Sequence, residues 1–239
     1  MLSSFLPLAA EASFWTTLLE RWTGPLLGLI GMGILETFYM TFLSAILAYV
    51  LGLPMGILLV VTAADGIKPM RRVYRIIDII TNIGRSVPFL ILLITIIPLT
   101  RLLVGTIIGS TAAIPSLVLS GAPFIARLVE SSLREVDHGV VEAAQSMGAS
   151  NWKIIWSVLL PESKSSLAVG ATIGTTTIMA YSAMAGVVGG GGLGAIANNY
   201  GYVRYQNDIM LVTVVLMVVI VQVIQMVGMR LAKKLNKVR

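Results

Sequence analysis

The sequence predicts an all-α membrane protein, a single polytopic bundle of five transmembrane helices. Hydrophobic residues make up 56% of the chain and charged residues 12%, about half the charged fraction of an average soluble domain. Five apolar runs have the roughly 17 to 25 residues that cross a hydrocarbon core of ~30 Å. They are Thr37–Val61, Ile80–Pro98, Thr106–Leu128, Leu167–Val188 and Met210–Leu231. The 239 residues leave no room for a separate soluble domain of ordinary size, so we expect one transmembrane domain over residues 1–239.

A second apolar stretch, Pro25–Ile34, precedes the first span and is too short to cross a membrane alone. We expect it to extend the first helix or to lie in the membrane interface, with a break at Glu36. Residues 1–35 are therefore predicted to form an external N-terminal segment.

The fourth and fifth spans differ in composition. The fourth is rich in glycine and hydroxylated residues, whereas Met210–Met226 of the fifth is almost wholly aliphatic. A polar group that faces lipid lacks hydrogen-bond partners, so small and hydroxylated residues suit a helix surrounded by protein or water. Span four is predicted to be central and span five peripheral. Gly170 and Gly174 are candidates for close helix packing or for a face that lines a passage.

The basic residues orient the bundle. Twelve of the 17 Lys and Arg residues fall on one side of the predicted spans, and the positive-inside rule makes that side cytoplasmic. The N-terminus is predicted to lie outside and the C-terminal tail, residues 232–239, inside. Aromatic residues that prefer the headgroup zone then lie at the outer surface, namely Trp15, Trp22, Tyr200, Tyr202 and Tyr205. The net charge of +6 therefore indicates orientation in the membrane, and it does not indicate nucleic-acid binding.

The longest cytoplasmic loop, residues 129–166, contains a polar, helix-prone stretch. Val140–Met147 can form two helical turns that Gly148 ends in a left-handed conformation, and Ser150 can cap a second helix. The second helix carries a predicted membrane-facing stripe of Trp152, Ile155, Trp156 and Leu159. Pro161 prevents its smooth continuation. A short exposed helix braced by a second helix is suited to gripping another protein, and a solvated connector is the alternative.

Seven residues of this loop form a spaced pattern: Glu-Ala-Ala, then Gly, then an aliphatic residue, then Leu-Pro. They are Glu142, Ala143, Ala144, Gly148, Val158, Leu160 and Pro161. The pattern resembles the EAA loop of ATP-binding-cassette (ABC) importer permeases, with Val158 where Ile is more usual. The resemblance implies the fold of a type I importer permease and assigns the seven residues to coupling with a cytoplasmic ATPase.

Two further segments, Arg85–Leu93 (RSVPFLILL) and Tyr181–Gly194 (YSAMAGVVGGGGLG), followed by Tyr200–Tyr202 (YGY), are similar to the methionine-uptake branch of these permeases. That resemblance implies a bacterial cytoplasmic-membrane subunit that works with a second copy of itself, two ATPases that bind ATP and Mg, and an extracytoplasmic substrate-binding lipoprotein. This chain would hold no cofactor and catalyse no reaction. L-Methionine is the expected substrate, and D-methionine, related sulfur compounds or polar amino acids are alternatives.

Four residues of span four are candidates for contact with a passing substrate: Met179, Tyr181, Ser182 and Met184. Thioether and aromatic groups can accommodate a flexible apolar side chain. The alternative is that the methionines are ordinary core residues.

The second span contributes three structural or gating candidates, Arg85, Ser86 and Pro88, as the family resemblance implies. Pro88 is expected to kink that span, because proline lacks the N–H that a helix interior requires. Asp78 lies two helical turns before Arg85 and could share a face with it, or both side chains could reach the lipid headgroups.

Gly189–Gly194 (GGGGLG) formally matches the dinucleotide-binding pattern G-x-G-x-x-G. We interpret the match as spurious, because no strand precedes it and the charge distribution places it outside. The glycines predict a turn with positive-φ residues. A gate hinge or a docking surface for the binding protein is the functional alternative, with Gly189 and Gly194 as candidates.

Other classes of function are less well supported by the sequence. An ion-gradient-driven secondary transporter usually has ionisable sites near mid-membrane or inverted repeats, and neither is evident. The chain contains no cysteine and one histidine, which excludes thiol chemistry and offers no metal-ligand or acid–base cluster.

Overall fold

The computed structural model describes residues 24–236, which form a bundle of α-helices. In chain order the helices are α1 (Gly24–Thr62), α2 (Arg71–Ser86), α3 (Phe89–Thr95), α4 (Ile97–Val104), α5 (Ser110–Arg134), α6 (His138–Ser146), α7 (Asn151–Ile154), α8 (Leu160–Glu162), α9 (Lys164–Val187), α10 (Gly192–Ile196) and α11 (Asn207–Asn236). Wider π-helical turns follow α7 at Ile155–Leu159 and α10 at Ala197–Tyr202. The predicted all-α class is confirmed.

Helix α1 is continuous through the first apolar stretch and the first span. Its 39 residues run from Gly24 to Thr62, so the predicted extension by Pro25–Ile34 is confirmed and the predicted break at Glu36 is wrong. Glu36 is tolerated inside the helix because its carboxylate accepts a hydrogen bond from the backbone N–H of Gly192 at 2.6 Å. The residues before Gly24, including Trp15 and Trp22, lie outside the described part of the chain.

The second span is broken. The axes of α2 and α3 differ by 101°, so the predicted single helix Ile80–Pro98 is wrong, while the predicted kink at Pro88 is confirmed. Val87 has extended backbone angles, φ −79° and ψ 122°, as the residue before a proline prefers. Within residues 24–236, four segments are long and apolar enough to cross a membrane, or five when the bent pair counts as one span.

The bundle centre is the contact between α1 and α5. Gly52 and Gly56 of α1 let the two backbones approach closely, since a Cβ at these positions would lie 2.7 Å from the Ala122 carbonyl oxygen and 2.6 Å from that of Ala126. Helix α9 packs against α1, α5 and α11, whereas α11 buries only Ile209, Thr213, Ile220 and Ala232. The predicted central fourth span and peripheral fifth span are confirmed.

The loops that the charge rule predicts on one side of the membrane meet at one end of the bundle. There Arg134 pairs with Asp65 of the first loop at 3.2 Å, and the Ser165 hydroxyl donates to the carbonyl oxygen of Ala232 at 3.0 Å. At the opposite end the N–H of Gly109 donates to the carbonyl oxygen of Gly189 at 2.8 Å. The fold therefore groups the loops as the orientation prediction requires.

Candidate functional site

The cytoplasmic loop folds around helix α6. The Asp137 carboxylate caps its start by accepting the N–H of Gly139 at 2.6 Å. Its end is a Schellman motif: Gly148, at φ +75°, donates to the Gln145 carbonyl oxygen at 2.9 Å, and Ala149 donates to that of Ala144 at 3.1 Å. The predicted helix Val140–Met147 and the left-handed Gly148 are thus confirmed, and the helix begins two residues earlier.

The two faces of α6 differ in exposure. Val141 and Ala144 are buried against the main hydrophobic core, and Ala144 is only 6% exposed. Glu142 and Ala143 point away from the protein and are exposed. The small size of Ala144 therefore serves packing inside this chain, and Ala143 is the small residue that is available to a partner.

The segment after α6 packs against the buried face of that helix. The Ser150 hydroxyl caps α7 by accepting the N–H of Lys153 at 3.4 Å, as predicted. Ile154, Ile155 and Leu159 are buried in the same core as Val141 and Ala144.

The predicted stripe on this second helix is divided by the structure. Ile155 and Leu159 face the core, whereas Trp152 and Trp156 are 69% and 54% exposed and contact each other edge to face, with ring centroids 5.8 Å apart. The buried side is rotated towards Ile154, which the sequence pattern did not include. The tryptophans are therefore left on the surface of the loop.

The remaining motif residues, Val158, Leu160 and Pro161, lie in the same segment that packs against α6. Val158 and Leu160 are half-buried and pack against the main core. Pro161 is exposed at the start of α8. A single residue outside the helical conformation, Ser163 at φ −91° and ψ 3°, separates α8 from α9, so the predicted interruption is brief.

A chain of ion pairs joins α2, α5 and the first loop next to this site. Arg127 pairs with Asp78, with Glu130 at 2.7 Å and with the Asn82 side-chain oxygen at 2.9 Å. Arg134 extends the chain by contacting Glu130 and Asp65, each at 3.2 Å. The ion pairs therefore connect the start of the cytoplasmic loop to the broken span.

The sequence left two alternatives for Asp78, a face shared with Arg85 or contact with the lipid headgroups, and the structure shows an ion pair with Arg127 instead. Helix α2 packs antiparallel against α5, so the nearest cation to Asp78 is Arg127, 49 positions away in sequence. Sequence reasoning missed this network. The signal available was that Asp78 and Arg127 are oppositely charged and lie near the ends of two predicted spans.

The four substrate candidates do not converge on one site. Met179 is buried in a separate cluster with Leu193, and Ser182 donates to the carbonyl oxygen of Met179 at 2.7 Å. Tyr181 stacks on Phe89 of α3, with ring centroids 4.8 Å apart, whereas Met184 is exposed. Tyr181 and Met184 are therefore the two of these side chains that the fold leaves at least partly accessible.

The glycine candidates divide into packing and turn positions. A Cβ at Gly170 would lie 3.5 Å from Leu128 and one at Gly174 3.3 Å from Ile125, so both glycines face α5 inside this chain. Gly189 has φ +93°, which confirms the predicted positive-φ turn. Gly194 is packed against the backbone of Ala183 instead.

Comparisons with known proteins agree with this architecture. A family model described as "Binding-protein-dependent transport system inner membrane component" matches residues 52–237. The probable D-methionine transport system permease protein MetI of Vibrio cholerae is 48% identical over 84% of this chain and 89% of its own length. The methionine import system permease protein MetP of Bacillus subtilis is 46% identical over 72% of this chain and 77% of its own length.

Solved structures show the same fold. A chain of the MetNI methionine ABC transporter, solved in inward-facing conformations, superposes with a TM-score of 0.88 at 45% identity, over 89% of this chain and 99% of that one. A chain of an amino acid ABC transporter with histidines gives a TM-score of 0.73 at 17% identity, over 88% of this chain and 95% of that one. At that identity the second match bears on the fold alone.

Proposed function

Because the chain belongs to the family of binding-protein-dependent transport system inner membrane components, we propose that it is the permease subunit of an ATP-driven importer of methionine. The observation that carries this proposal is the folded loop: α6 is fixed on one face by Val141 and Ala144 and presents Glu142 and Ala143 on the other. A rigid helix with an exposed acidic residue is suited to contact with a moving partner. The relatives' names supply the substrate class.

The permease works with partners that bind at three surfaces. Two copies of the chain form the passage between them, two cytoplasmic ATPases bind at the α6 helices, and an extracytoplasmic lipoprotein delivers the substrate at the opposite end. The ATPases bind ATP and Mg, and this chain provides the passage without catalysing a reaction. The assembly lies in the bacterial cytoplasmic membrane, surrounded by lipid.

Transport proceeds by alternating access. Closure of the ATPases moves α6, and the loop transmits that motion because α6 shares one core with Val61 of α1 and Leu133 of α5. The helices then rock between inward-open and outward-open arrangements. Similarity to an inward-facing transporter supports an inward-open state for the arrangement described above. Since the relatives carry names with D-methionine and with methionine, both enantiomers are expected substrates.

Charge reversal on α6 tests the proposal. Glu142→Lys is expected to leave the chain inserted and dimeric but to abolish methionine uptake. The new lysine would face the basic residue that we expect opposite Glu142 on the ATPase, and two like charges in a partly desolvated interface cost about 2–5 kcal/mol. Lys153→Glu on the neighbouring helix is the matched control and has a smaller effect. The measurements are co-purification of the ATPase and uptake in liposomes that contain the binding protein.

A steric variant tests the same contact without altering charge. Ala143→Trp adds bulk on the exposed face of α6 and is expected to block docking of the ATPase, while the buried Ala144 is left unchanged. If Glu142→Lys and Ala143→Trp both retain the ATPase and full uptake, the loop is a solvated connector and the proposed coupling role is wrong.

A further inference from the structure

Helix α2 has two opposite faces. Six of its polar residues recur every three or four positions and therefore lie on one side of the helix: Arg71, Tyr74, Asp78, Thr81, Asn82 and Arg85. The other side presents exposed isoleucines: Ile76, Ile79, Ile80 and Ile83. A helix inside a membrane needs no polar side unless that side meets protein or water.

The polar side runs from the cytoplasmic end towards the middle of the membrane. Asp78 meets Arg127, and a Cβ at Gly84 would lie 2.6 Å from the Pro123 ring. Pro123 precedes the last residue of α5, Arg134, by eleven positions, which is about 16 Å along a helix. With Arg134 at the cytoplasmic edge, where it pairs with the loop residue Asp65, Gly84 lies roughly halfway through a hydrocarbon core of ~30 Å.

Arg85 is thus a cation deep in the membrane, and it is exposed. Within residues 24–236 it makes no ion pair, because the neighbouring carboxylates of Asp78 and Glu130 are bound by Arg127. A guanidinium at this depth is costly against lipid and is retained where it faces water or a charged ligand. The exposed side of Arg85 therefore points to an aqueous space.

The polar side of α2 begins at an open cavity. That cavity, of about 570 Å³, is lined by residues that include Asp65, Arg71, Tyr74 and Arg134, and Arg71 lies about four helical turns before Arg85. At the other end, one turn after Arg85, Phe89 stacks on Tyr181 of α9. Arg85 lies at the elbow where the broken span meets the central helix.

We propose that Arg85, near the end of this polar side, faces an aqueous passage open to the cytoplasm, and that its guanidinium receives the carboxylate of the amino acid that moves through the passage. A guanidinium can bind a carboxylate through two parallel hydrogen bonds. Because Arg85 remains exposed, the contact is weak enough to release the substrate. This inference rests on the proposed amino acid import, and it adds the group that recognises the charged end of the substrate.

Cysteine labelling tests the aqueous space and its charge. The natural chain has no cysteine, so Asn82→Cys introduces a single thiol on the polar side, one turn before Arg85, and Ile83→Cys places one on the isoleucine side. The purified transporter in liposomes is treated from the cytoplasmic face with anionic and cationic methanethiosulfonate reagents. Cys at position 82 is expected to react many-fold faster than Cys at position 83, and faster with the anionic reagent than with the cationic one.

The role of Arg85 is tested by adding Arg85→Gln to Asn82→Cys. The preference for the anionic reagent should disappear in the double variant. L-Methionine should slow labelling when Arg85 is present, whereas L-methioninamide, which lacks the carboxylate, should not. In the natural chain, Arg85→Gln should lower uptake several-fold and Arg85→Lys should restore part of it.

Equal, slow labelling at positions 82 and 83 would show that the side of Arg85 faces lipid and would overturn the passage. Unchanged reagent preference in the Arg85→Gln background would overturn the role of its charge. Protection by methioninamide equal to that by methionine would overturn carboxylate recognition. Reagent preference is measured without ATPase activity or substrate. A failure of the coupling tests on α6 would therefore leave the labelling result unchanged, and the two proposals can fail independently.

Discussion

The two ends of the bundle are held together by different kinds of contact. At the cytoplasmic end, long side chains link the elements: Arg127 joins α2 to α5, and Arg134 joins α5 to the first loop through Asp65. At the outer end the glycine turn binds α1 through its backbone. The N–H of Gly192 donates to Glu36 at 2.6 Å, and the N–H of Leu193 donates to the Thr37 hydroxyl at 2.9 Å.

The difference bears on which end can move. Ion pairs between long side chains can stretch, exchange partners or admit water as helices shift by an ångström or two. The glycine turn allows less change, because its backbone N–H groups are held by the side chains of Glu36 and Thr37, and atoms of Thr37 and Met40 already occupy the space of a side chain at Gly192. We infer that the contact between α1 and the glycine turn, the outer joint, is a fixed point. The ion-paired contacts at the opposite end, the cytoplasmic joints, adjust when α6 is moved.

The largest effect is expected at the outer joint. Gly192 has φ +73°, and a Cβ there would lie 2.7 Å from the Thr37 hydroxyl and 2.8 Å from the Met40 methyl carbon. Gly192→Val is expected to destabilise the protein by about 3–5 kcal/mol, from backbone strain together with overpacking. The measurement is thermal unfolding of the purified chain in detergent. Gly31→Val in α1 is the control, since nothing lies within 4 Å of a Cβ there; equal stability of the two variants would contradict a fixed outer joint.

A smaller effect is expected at the ion pairs between α2 and α5. Arg127→Met leaves the Asp78 carboxylate without its cation in a partly buried site, and leaves Glu130 with Arg134 alone. The expected loss is ~2–3 kcal/mol at neutral pH, below the value for a fully buried pair because the side chains are partly exposed. The measurement is again thermal unfolding.

A second substitution separates charge from packing at this site. Adding Asp78→Asn to Arg127→Met removes the uncompensated carboxylate and should restore part of the stability. If the double variant is no more stable than Arg127→Met, the guanidinium acts through packing and not through its charge.

The smallest effect is expected at the edge of the network. The side chains of Arg134 and Asp65 are 38% and 57% exposed, and exposed ion pairs contribute about 0–1 kcal/mol. Asp65→Asn removes this pair and leaves the Arg134–Glu130 contact in place. It should therefore change the free energy of unfolding by less than ~1 kcal/mol, and the difference should shrink further at high salt. A loss as large as that of Arg127→Met would show that the cytoplasmic joints are as rigid as the outer one.

Much of the cytoplasmic loop, and the bend in the second span, were predictable because these features are local. The cap at Ser150, the left-handed Gly148 and the kink at Pro88 each depend on residues within a few positions in sequence. The exposure of Ala144 was not predictable in the same way. Whether a small residue faces a partner or the core depends on where the rest of the chain lies, and here Ala144 shares the main core with residues of α1 and α5.

The sequence by itself determined the class of the protein, the position of most spans, the side on which each loop lies and the motif that identifies the family. These follow from hydropathy, charge and spacing, which act along the chain. Only the tertiary structure decided that Glu36 stays within a helix, that Asp78 pairs with Arg127 and that Arg85 is exposed without an ion pair among the described residues. The first two depend on partners 156 and 49 positions away in sequence, and the third depends on the absence of a charged partner within residues 24–236. Such pairings are fixed by helix packing.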